Sequence, residues 1–152
     1  GLVICKAAED ERIQAVATLA SVHRFDYAWN QEMLENWRKE GVIHIRNTRT
    51  NQQMPLYYQL AEDLLNNQNR VDVERAAAKM SQPLLLMHGD QDPAVPVSAA
   101  QLLADQNPKA QVEIFPGTGH VFGGKHPYEG DQLPADTEKA LHMASQFFKA
   151  QH

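Results

Sequence analysis

Cysteine is nearly absent from this sequence, with Cys5 the single one among 152 residues. That excludes an internal disulfide framework and a Cys-rich metal site, and a lone thiol suits a reducing compartment, so a cytoplasmic location is expected. No apolar run approaches the ~20 residues needed to cross a bilayer. Lys and Arg form no cluster, and the net charge is −5. Neither nucleic acid nor an anionic membrane is therefore an expected partner. Internal repeats, low-complexity tracts and interdomain linkers are missing too. The length fits one compact domain, which could bury ~70% of its unfolded surface.

What is present is concentrated in residues 82–120. An apolar run, Pro83-Leu84-Leu85-Leu86-Met87, leads into an acidic turn, His88-Gly89-Asp90-Gln91-Asp92-Pro93. A helical pattern follows, which Ser98 is expected to cap and Asn107-Pro108 to end. Residues 111–115 then alternate as a second strand, and Pro116-Gly117-Thr118-Gly119 turns toward His120. An apolar run bounded by turn residues reads as a strand buried on both faces, and a helix between two such strands implies a right-handed crossover and a parallel sheet. Both polar loops then fall at one sheet edge, where open α/β sheets bind ligands.

Asp92 and His120 suit two linked roles there. A serine hydroxyl is a weak nucleophile, so acyl transfer needs a histidine to take its proton and a carboxylate to fix the tautomer of that histidine. Read singly, Asp92 is equally a turn-forming residue before Pro93, and His120 a loop histidine. Asp90 competes with Asp92 for the acid, since both lie in one turn. His88, Asp90 and Asp92 also suggest a metal-assisted hydrolase, but they offer ligands from a single loop with no partner to close the shell. No cofactor and no metal is expected. His23, His44, His126, His142 and His152 are scattered without ligand spacing.

The runs from Pro83 to Pro96 and from Pro116 to His120 resemble the C-terminal half of an α/β-hydrolase, of the dienelactone-hydrolase-like and prolyl-oligopeptidase-like kind. The match lies in Gly89, Asp92, Val95 and Pro96 for the acid loop, and in Gly117, Gly119 and His120 for the base loop. The resemblance implies a partial α/β-hydrolase fold, with parallel strands, flanking helices and a helical cap insertion. It also implies Asp92 as triad acid and His120 as base.

The remaining chain is consistent with that order. Residues 1–8 read as a short buried helix and 13–19 as a parallel strand. In α/β-hydrolases this helix and strand follow the nucleophile elbow, Gly-x-Ser-x-Gly. That motif occurs nowhere in the sequence. The resemblance therefore places the serine and the oxyanion hole upstream of Gly1, in a longer parent. Ser21, Ser81, Ser98 and Ser145 lack the flanking glycines that an elbow needs. Residues 24–80 read as the cap-like insertion within a single domain spanning 1–152. Helices are expected over 32–39, 55–66 and 71–80, with Pro55 opening the second, and a hairpin strand over 42–49. Phe25, Tyr27, Trp29, Met33 and Trp37 could line an acyl or alcohol pocket, although aromatics at helical spacing are also ordinary core. Phe25, Trp29 and Val121 are the candidate substrate-binding residues. A last helix is expected from Pro134-Ala135-Asp136 onward.

Two functions are open on this reading. One is the C-terminal part of a serine hydrolase acting on a carboxylic ester or related acyl bond, inactive by itself. The other is a non-catalytic α/β binding or interaction module, because a fold does not fix a function. The expected partners are a small ester or acyl substrate, and a second copy or the missing N-terminal half docking on an exposed sheet edge.

Overall fold

The computed structural model describes residues 1–26, 29–47 and 50–151. The chain divides into two compact units, Gly1–Arg24 with Asp72–His152, and Phe25–Val71.

The first unit is built on a three-stranded sheet in the order β1-β4-β5, with β1 Val16–Leu19, β4 Leu84–Gly89 and β5 Ala110–Phe115. Both pairings are parallel, with Val16 opposite Leu84 and Leu84 opposite Ala110. All six residues of β4 are buried, as an apolar run covered on both faces requires. On one face Leu85 and Met87 pack with Phe115, Phe122, Ala140 and Phe147, the last two carried by α7, Ala135–Lys149. Burying a phenylalanine such as Phe147 stabilises the fold by roughly 1.5–3 kcal/mol. Leu84, Leu86 and His88 alternate to the other face, which is covered by α1 Leu2–Ala7, α5 Val73–Lys79 and α6 Ser98–Gln106. The sheet is therefore the middle layer of an α/β sandwich. Where the chain leaves this unit and where it returns, His23 Nδ1 and Glu74 Oε1 lie 2.6 Å apart.

The second unit holds α2 Gln31–Glu40, a hairpin of β2 Val42–Asn47 and β3 Gln52–Tyr57, then α3 Gln59–Asn66 and α4 Gln68–Val71. Asn30 caps α2 by accepting a hydrogen bond from the Met33 amide at 2.8 Å. Its core is Trp37, fully buried, whose indole N–H donates to the Leu56 carbonyl at 2.8 Å. Trp29 and Tyr58 meet Trp37 edge to face, at centroid distances of 5.2 and 6.0 Å.

Three sequence expectations are corrected. Pro55 does not open a helix: it lies inside β3 opposite His44, and the helix starts at Gln59. In a two-stranded sheet each strand has a free side, so proline's missing N–H need not break the ladder. Ser98 is the first residue of α6 rather than its cap and makes no capping hydrogen bond. Over 71–80, Asp72 interrupts the helical pattern: it caps α5 by accepting from the Arg75 amide, so α4 ends at Val71. Thr48 and Arg49, at the end of the expected strand, and Tyr27 lie outside the described residues. No helix among the described residues is long and apolar enough to cross a membrane.

Candidate active site

The acid loop and the base loop leave the carboxyl ends of neighbouring strands and are zipped together. The Asp90 amide donates to the Phe115 carbonyl at 3.2 Å, and the Gln91 amide to the Thr118 carbonyl at 3.0 Å. Asp90 Oδ1 accepts the Gly117 amide at 2.7 Å. This engagement separates the two candidate acids. Asp90 fastens the base loop, while Asp92 is left to face His120.

Asp92 is held from both sides. Its Oδ1 accepts the amides of Ala94 and Val95 at 2.8 and 2.9 Å, a turn closed by its own side chain. Its Oδ2 lies 2.8 Å from His120 Nδ1. A carboxylate oxygen only accepts, so Nδ1 of His120 carries the proton. The Asp92 side chain is 0% exposed, whereas that of His120 is 42% exposed. Burial opposes the charged carboxylate, but the hydrogen bonds from Val95, His120 and Ala94 outweigh it and hold Asp92 below its ordinary value. Asp92 is thus ionised at neutral pH and anchored, and the histidine ring it holds reaches solvent.

Behind Asp92 stands His88, 1% exposed, whose Nε2 is 3.0 Å from the Val95 carbonyl and 3.4 Å from Asp92 Oδ2. Both neighbours are acceptors, so Nε2 is its protonated nitrogen. With Asp90 turned to Gly117, no group of three or more metal-ligating side chains forms among the described residues.

The other expected site residues stand as follows. Val121, beside His120, is 61% exposed. Phe25 and Trp29 belong to the second unit, both half-buried, with Trp29 edge-on against Trp37. Among the described residues Asp92 is the only hydrogen-bond partner of the His120 ring. Ser21, two residues beyond β1, accepts from the Gly1 amino group at 2.9 Å and donates to the Val22 carbonyl. Sequence reasoning missed Thr118, Asp136 and Thr137, which brace the base loop. Thr118 and Asp136 are 18 positions apart and follow no motif.

The model of the dienelactone hydrolase family matches residues 51–152. The chain belongs to the dienelactone hydrolase family. No curated protein matches it. Among solved structures this family member is similar to Est1E from Butyrivibrio proteoclasticus, at 21% identity and a TM-score of 0.63, covering 98% of this chain and 56% of that one. It is also similar to the monoacylglycerol lipase of Paleococcus ferrophilus, at 13% identity and a TM-score of 0.63, covering 95% and 63%. For the esterase domain of a Rhodothermus marinus protein the values are 18%, 0.56, 95% and 53%. These likenesses show part of an α/β-hydrolase fold. The dienelactone hydrolase family chain spans a little over half the length of these structures.

Proposed function

We propose that this chain supplies the acid and base of a serine hydrolase that cleaves a carboxylic ester or related acyl bond. The observation that carries the reading is the 2.8 Å contact from His120 Nδ1 to Asp92 Oδ2, made by a wholly shielded carboxylate at the edge of a parallel sheet. Asp92 keeps the proton on Nδ1, so Nε2 presents a lone pair. That lone pair takes the hydroxyl proton as the serine oxygen attacks the acyl carbon. Asp92 stabilises the resulting imidazolium, which then protonates the departing alcohol or amine. In the second half-reaction Nε2 deprotonates water as its oxygen attacks the acyl carbon, and the serine oxygen leaves with that proton, releasing the carboxylic acid.

The serine belongs to a segment not included in this chain, and so do the oxyanion donors. That segment would dock on the outer edge of β1, the terminal strand of the sheet, where Leu19 is 45% exposed. Self-association through the same edge is the alternative for the chain alone. Residues 24–80 are read as the cap insertion; Phe25 and Trp29 within it are proposed substrate contacts, and so, separately, is Val121 beside His120. The lone, buried Cys5 fits a cytoplasmic setting.

The test is hydrolysis of p-nitrophenyl esters by the chain alone and by a longer parent carrying Gly-x-Ser-x-Gly. The chain alone is expected to be inactive and unlabelled by a fluorophosphonate. The parent is expected to turn over and to lose on the order of 10³–10⁴-fold in kcat with Asp92→Asn. A parent with Ala, Gly or Asp at the serine position would favour the binding-module reading instead.

A further inference from the structure

His120 is an exposed residue between two buried ones. Thr118 is 2% exposed and Phe122 3%, two positions before it and two after. Phe122 turns its ring edge onto Phe115, 5.1 Å between centroids, and adopts φ 52° to do so. A non-glycine residue in that region is held there by its surroundings. The surroundings come from the start of α7. Thr118 Oγ1 donates to Asp136 Oδ2 at 2.6 Å, and Thr137 Oγ1 donates to the Phe122 carbonyl at 2.7 Å. Gly123, at φ 83°, passes so close to Pro134 that a Cβ there would lie 2.8 Å from the proline Cβ. Two consecutive residues of one helix turn thus bracket the base symmetrically.

We propose that Asp136 and Thr137 are positioning residues for His120, acting through Thr118 and the Phe122 carbonyl. The acid side fixes only one flank of the loop, by the Gln91 amide on the Thr118 carbonyl and Asp90 on the Gly117 amide. Without the α7 bracket the segment 118–122 can pivot on that flank and carry the imidazole off the Asp92 carboxylate. The 2.8 Å contact tolerates a retreat of only a few tenths of an ångström before the bond weakens. The proposal rests on the reading of Asp92 and His120 as a working pair.

The experiment is long-range ¹H–¹⁵N NMR of the chain as it stands, reading the His120 tautomer at a pH where imidazole is neutral, with a melting curve for each variant. Wild type is expected in the Nδ1–H form, and Asp92→Asn to lose it. Thr118→Val and Asp136→Ala are expected to shift His120 toward Nε2–H while still melting cooperatively, and Thr118→Ser to keep the wild-type tautomer. A lower melting temperature with the Nδ1–H form intact in both bracket variants would make the contact merely structural and overturn the proposal. If Thr118→Val does not fold, Asp136→Asn, which keeps an acceptor, and Asp136→Ala decide it alone. If Asp92→Asn leaves the tautomer unchanged, the acid and base reading fails and the proposal falls with it.

Discussion

Gly89→Ala tests how tightly the loops carrying Asp92 and His120 are zipped. A Cβ on Gly89 would stand 2.1 Å from the Thr118 carbonyl oxygen and 2.7 Å from its carbon. Both obstacles are backbone, so no side chain can swing away. The base loop would have to retreat by about 1 Å, an overpacking strain of roughly 1–3 kcal/mol. The Gln91 to Thr118 hydrogen bond, 3.0 Å long, would go with it, adding about 1 kcal/mol. The expected loss is about 3 kcal/mol, seen as a urea midpoint lower by roughly 1–2 M. Gly119→Ala is the matched control: its Cβ would meet only the Gln91 carbonyl oxygen, at 3.8 Å, and stability should stay within about 0.5 kcal/mol. Equal midpoints for Gly89→Ala and wild type would refute the reasoning, since they would mean that the loop has slack the geometry denies.

Three further outcomes follow from the same packing. Thr18 Oγ1 is buried with no hydrogen-bond partner among the described residues, so Thr18→Val should stabilise the protein by about 1 kcal/mol, read as a higher urea midpoint. Trp37→Phe removes the indole donor to Leu56 and leaves that carbonyl without its partner; a loss of about 2 kcal/mol is expected in denaturation followed by tryptophan fluorescence. Asp92 has a folded value below its unfolded one, so its contribution is fully present above the ordinary carboxylate value of about 4 and is lost as pH falls below it. The stability gap between wild type and Asp92→Asn should therefore narrow on acidification below about pH 4, and a gap independent of pH would contradict the shift.

The parts of this structure that were legible in sequence are those in which one physical signal dominates. The run from Leu84 to Met87 has no solvent-facing alternative, and β4 is the central strand. Asp92 and His120 follow from strand order, because a crossover delivers both loops to one edge. Pro55 was misplaced because a proline opening a helix and a proline on a free strand side carry the same local signal, and only pairing with His44 separates them. By residue type alone Asp90 and Asp92 are equivalent; the spacing from Gly89 in the family resemblance singles out Asp92, and in the structure the Gly117 amide claims Asp90. Asp136 was invisible for a different reason: its partner Thr118 is fixed by the packing of α7, which periodicity assigns to a face but not to a register.

The 2.6 Å contact between His23 and Glu74 draws together the two points at which the first unit is interrupted. The rims of that interruption are therefore one contact apart. A replacement of any length can be spliced between those rims without rerouting a strand of the sheet, at a closure cost that grows by only about 0.6 kcal/mol per doubling of length. The length and make-up of residues 25–71 can therefore change at little closure cost without altering the pairing of β1, β4 and β5.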